Sequence, residues 1–236
     1  MTRMLLSCFA MIAAAALIDA SVAVGQMLPG GQGGGRAPAS MGPEEEPSTL
    51  APSSDKPDVA AKKAFNAAMK SLNKAKELEA AAAAAPNADK KAKLMEKVSD
   101  NYNRALDQFT EALSNKGDML DAWDGVGYVH LRLGAYAEAV DDYNHALALK
   151  PDLMEAIEHR AEAYLAIDRL EDAKIAYMDL FNHAPKLADQ LMVLMQKWQS
   201  DHRADARGMR AADIDAFGKW LLERDGIAKQ TASLPH

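Results

Sequence analysis

The chain's six histidines are its first candidates for chemistry, because neutral imidazole binds metals and carries protons near neutral pH. His130, His145, His159 and His183 are spread too far apart for a metalloprotease-type helix, and no H-E-x-x-H occurs. Glu158-His159 would need a second histidine at Glu155 to form the inverted motif. Structural or surface roles are therefore expected for the histidines, with no metal and no cofactor. Asp141-Asp142 are adjacent on a helix and point apart, so they suit no two-carboxylate mechanism. Met178, Met192 and Met195 read as gap fillers in a core. Gly30 to Arg36 resembles a phosphate loop only in its glycines, since the Lys-Ser/Thr ending is missing. Cys8 is the single cysteine, which excludes an intramolecular disulfide or a zinc site built on several thiols. No catalytic residue is assigned, and no enzyme is expected.

The elements that hold these residues repeat. Shifted by 34 places, Trp123 falls on Ile157, Gly127 on Ala161 and His130 on Tyr164; Ala139 falls on Ala173, Tyr143 on Tyr177, Ala146 on Leu180 and Pro151 on Pro185. A fixed period with large and small residues at set places means one helix pair built twice. Small residues (Gly127 or Ala161, Ala139, Ala146, Ala173) let backbones approach, and Trp123, Tyr143 and Tyr177 fill the wider gaps. Asp118 and Asp152 are expected as N-caps, with Asp121 and Glu155 completing a capping-box variant. Gly134 is expected to end the first helix in a left-handed turn.

This pattern resembles the tetratricopeptide repeat, carried by Trp123, Gly127, Ala139, Tyr143, Ala146 and Pro151, then by Tyr164, Ala173, Tyr177 and Pro185. His130, Ile157, Arg160 and Leu180 depart from the usual choices. The resemblance implies an all-α, right-handed stack of helical hairpins, an α-solenoid, with the first helix of each pair lining a concave face. It further implies partner contact at the inner places of those helices, here Asp121, Asp124, Tyr128, Leu131 and Arg132, then Glu155, Glu158, Glu162, Leu165 and Ala166. Family members that dock chaperone tails hold a carboxylate there with Lys, Asn and Arg, whereas this chain has acids, so that clamp is not expected.

Charge sharpens the expectation. Residues 118–189 hold 6 Lys/Arg against 15 Asp/Glu, net −9, and residues 56–97 hold 10 against 5, net +5. The direct reading is an acidic groove suited to a basic or amphipathic protein segment. The alternatives are ordinary solvated helix faces and a self-associating structural protein whose opposite poles align head to tail. The overall charge of −7 argues against general nucleic-acid binding.

Along the chain, residues 1–25 read as a secretory signal: Arg3, an apolar run from Met4 to Ile18, then small residues. Cleavage after Gly25 fits best, with Ala23 as rival; an uncleaved anchor is the alternative, and lipidation at Cys8 is not expected. An exported, periplasmic protein without a membrane span in the mature chain follows. Residues 26–57, dense in Gly, Pro and Ser, read as a disordered linker. Residues 58–117 form an elongated, degenerate first repeat with an apolar stripe of Phe65, Met69, Leu72 and Leu78. Complete repeats follow at 118–151 and 152–185, capping helices at 186–225 and a loose tail at 226–236.

Overall fold

Helix formers and short apolar periods dominate the chain, and the computed structural model is correspondingly helical. It describes residues 56–232, among which no strand occurs. The signal segment expected at 1–25, Cys8 and nearly all of the linker at 26–57 lie outside the described residues. The eight described helices are α1 (Pro57–Ala83), α2 (Ala88–Asn115), α3 (Leu120–Leu133), α4 (Tyr136–Leu149), α5 (Met154–Ala166), α6 (Leu170–His183), α7 (Pro185–Ala204) and α8 (Ala211–Ala232). Each packs on the next, and α3 also meets α5, as α5 meets α7. Consecutive hairpins thus stack as an α-solenoid, with their first helices side by side. None of these helices is long and apolar enough to cross a membrane.

The 34-residue period appears directly in burial. Ala139, Tyr143 and Ala146 are fully buried, as are Ala105, Phe109 and Ala112 one period earlier; Ala173, Tyr177 and Leu180 are buried one period later. Each trio sets one large ring between two small or apolar residues on a second helix, so the next first helix packs over it. α3 accommodates the rings with glycine. A Cβ on Gly127 would stand 2.9 Å from the Tyr143 ring, and one on Gly125 only 2.5 Å from the Phe109 ring.

The helix ends correct part of the expectation. The N-caps of α3 and α5 are Met119 and Leu153, without a side-chain cap bond, so Asp118 and Asp152 do not cap. Apolar residues hold these entries instead, Leu153 packing on the core. Gly134 does close α3 with φ 82°, and the Ala135 N–H donates to the His130 carbonyl. One period on, Asp168 makes the same left-handed turn at φ 59°. Its strain is offset by its carboxylate, which accepts from Trp198 Nε1 at 3.2 Å and lies 3.4 Å from His202 Nε2.

In α1 the seam against α2 is made by Ala61, Ala64, Ala68, Leu72, Ala75 and Ala82. Of the expected stripe only Leu72 is buried, while Phe65, Met69 and Leu78 pack at its edge. Alanine brings the two long helices close, and larger residues serve the flanks. α8 continues to Ala232, past Gly226 where a tail was expected. Gly226 has nothing near its Cβ position, and Lys229 pairs with Asp225 at 2.5 Å along the helix.

Candidate functional site

The inner face is built by α1, α3 and α5. On α3, Asp121 is exposed at the rim, and Asp124, Tyr128 and Arg132 are half-buried along one side. This is the i, i+3/i+4 spacing that aligns side chains on a helix. On α5, Glu155 is exposed, Glu162 half-buried and Glu158 buried. Leu131 and Leu165 are only 5% and 4% exposed. Both belong to the hydrophobic core, so neither offers a foothold on the surface.

The floor contains residues that the sequence reading left out. Lys76 of α1 places its ammonium 4.2 Å from the centre of the Tyr128 ring, a cation–π contact. Glu79, one turn further, accepts from Arg132 at 2.7 Å. Both side chains are about one-fifth exposed. The long first hairpin therefore reaches across to α3 and tempers the acidic face with one cation of its own. Tyr102 of α2 is buried near Glu79 and Tyr128, and its phenol is pushed up, first by burial and then by Glu79.

Between α3, α4 and α5 lies the most desolvated part. Tyr143 is fully buried, and burial, then the charges of Asp124 and Glu162, drive its phenol well above the usual range. His159 sits beside it, with ring centres 5.9 Å apart and edge-on to Tyr128 at 5.4 Å. Burial and then Lys76 lower its pKa to about 4, so its imidazole is neutral near neutral pH. Its Nε2 lies 3.5 Å from Glu158. Burial, followed by the charge of Glu162, lifts Glu158 to about 7. Asp124 is raised by burial and then by Asp121 and Glu155, and Glu162 is raised by burial. Like charges crowded out of water destabilise their own ionised forms.

Groups displaced in this direction suit either proton transfer or the capture of a compensating charge. Among the described residues no cluster of His, Cys, Asp and Glu is arranged to hold a metal ion. Elsewhere His130 Nδ1 meets Asp142 at 2.6 Å, tying α3 to α4. This bond raises the histidine.

A tetratricopeptide repeat family model matches residues 120–153, which is α3, α4 and the turn into α5. The chain carries a repeat of that class there. No curated protein matches it. Solved structures similar to this chain include three of tetratricopeptide repeat domains. The Arabidopsis OM64 TPR domain is 15% identical, with 58% of this chain and 98% of that one covered and a TM-score of 0.41. The first TPR of Spaghetti (RPAP3) bound to HSP90 peptide SRMEEVD is 23% identical over 53% and 94%, at 0.38. The TPR2B-domain:pHsp70-complex of yeast Sti1 is 13% identical over 67% and 98%, at 0.33.

Proposed function

We propose that the chain is a non-enzymatic adaptor that holds a partner protein by a basic or amphipathic segment laid across the inner face of α3 and α5. The observation that carries this reading is the convergence of Asp124, Glu158 and Glu162, all with raised carboxyl pKa values, between the exposed acids Asp121 and Glu155. Cationic side chains entering this face relieve the repulsion that the acids impose on one another, which favours association and steers it at a distance. Tyr128 supplies a ring for contact at the centre. We further propose that the adaptor works outside the cytoplasm, after removal of residues 1–25. N-terminal sequencing of the protein from its native cell tests this, the expected first residue being Gln26; an intact Met1 argues for the anchored alternative.

The binding test is calorimetry of the full chain with an octa-arginine peptide. The peptide is expected to bind and to weaken at least about fivefold in the rim variant Asp121→Asn/Glu155→Gln, since each charge-assisted contact contributes about 1 kcal/mol or more. Asp141→Asn, exposed on α4, is expected to change nothing. Equal weakening by Asp141→Asn, or no binding at all, overturns the groove.

A further inference from the structure

The floor of the inner face holds a set of polar atoms that the fold buries without satisfying. Asp124 Oδ1, Tyr143 Oη and His159 Nδ1 are all buried with no hydrogen-bond partner, although such groups are ordinarily paired. Each one left unpaired costs about 1–3 kcal/mol of desolvation. Tyr143 is 0% exposed, and its phenol lies within the fields of Asp124, Glu162, Tyr128 and Glu158. Lys76 lies over the ring of Tyr128, and Asp124 Oδ1 accepts no hydrogen bond.

Across the repeats the imidazole is peculiar to this copy. One period earlier the places of Tyr143 and His159 are held by Phe109 and Gly125, which pack ring against glycine with no polar atom between them. The second copy puts a hydroxyl and an imidazole where the first has only carbon. One period on, the phenol is kept as Tyr177 while Val193 stands at the place of the imidazole.

We infer that Asp124, Tyr143 and His159 form a seat for one arginine side chain of the partner segment, a deepening that rests on the groove reading above. With the proton placed on His159 Nε2, which lies 3.5 Å from Glu158, Nδ1 is an acceptor. The seat then presents a carboxylate oxygen, an imidazole nitrogen and a phenol oxygen, and so calls for several donors on one positive group. A guanidinium provides five N–H donors in a rigid plane and stacks on aromatic faces such as Tyr128. An ammonium is more strongly hydrated and lacks that fork, so lysine fits the seat less well.

The test uses the full chain and two pentapeptides, acetyl-Gly-Ala-Arg-Ala-Gly-amide and its neutral citrulline counterpart. Binding is read from side-chain NMR signals of 13C-labelled His159 and Tyr143. The arginine peptide is expected to shift both signals saturably and the citrulline peptide to shift neither. Asp124→Asn is expected to weaken the arginine peptide roughly tenfold without lowering the melting temperature, because it removes a half-buried charge that burial and its neighbours Asp121 and Glu155 disfavour. A purely structural Asp124 would give the reverse, a lower melting temperature with unchanged binding. Equal shifts from both peptides, or an unaffected Asp124→Asn, overturns the seat. If octa-arginine still binds and the rim variant still weakens it, the groove stands without the seat; if octa-arginine also fails, both readings fall.

Discussion

Glu158 and His159 are adjacent in sequence and displaced in opposite directions, and this yields a sharp test of the electrostatics of the inner face. His159 titrates near 4 when folded and near 6.5 when unfolded. Its contribution to stability is present above about 6.5 and is lost as pH falls towards 4. Glu158 titrates near 7 when folded and near 4.5 when unfolded. Its contribution is present below about 4.5 and is lost as pH rises through 7. Between pH 4.5 and 6.5 the unfolded chain carries a proton on the imidazole, and the folded chain carries one on the carboxyl. The numbers match, so the pair adds no slope to the wild-type stability curve.

Removing either partner exposes the other. In Glu158→Gln, stability should fall with acidification by about 1.4 kcal/mol per pH unit relative to wild type. In His159→Gln it should rise on acidification by a similar amount per unit. Across two pH units the variants should diverge by about 5 kcal/mol. All other titrating groups are shared, so they cancel in this difference. Urea unfolding followed by circular dichroism at pH 4.5, 5.5 and 6.5 measures it. Parallel curves for the two variants would refute the placement of these groups in a desolvated cluster.

Three further outcomes are expected. Gly125→Ala drives a Cβ to 2.5 Å from the fully buried Phe109 ring; the clash outweighs the gain in helix propensity and should cost about 1–2 kcal/mol in denaturant unfolding. Arg132→Met strands Glu79 and should cost about 1–3 kcal/mol, partly recovered in Arg132→Met/Glu79→Gln, as a double-mutant cycle would show. His202→Leu removes the Nδ1 bond to the Trp198 carbonyl at 2.9 Å and the Asp168 contact; it should lower stability by about 1–3 kcal/mol, read through Trp198 fluorescence.

The hairpins were legible because their period couples large rings to small residues at places where only one packing works. Tyr143, Ala139 and Ala146 recur as Tyr177, Ala173 and Leu180, and all six are buried. The inner-face places of α3 and α5 followed from the same register. What the register could not show was depth. Leu131 and Leu165 share a helix face with Tyr128 and Glu162 but are covered by the neighbouring hairpin, a fact of tertiary packing. Nor could local sequence show that Lys76 and Glu79, about fifty residues before Tyr128 and Arg132, reach the same floor. Of the basic residues at 56–97, Lys76 stands on the Tyr128 ring at the inner face. One signal was present and went unread: at the 34-residue shift Gly125 becomes His159 while Phe109 becomes Tyr143. The phenol recurs as Tyr177, but the imidazole has no counterpart, Gly125 and Val193 holding its place in the neighbouring copies.

The inner face of α3 and α5 is proposed to hold a partner. Site-specific photo-crosslinking in the native cell tests it most directly, with the probe at Tyr128 and an exposed control at Lys70 on α1. A discrete adduct with another protein is expected from Tyr128 and none from Lys70. An adduct between two copies of this chain, or no adduct at Tyr128, would contradict it.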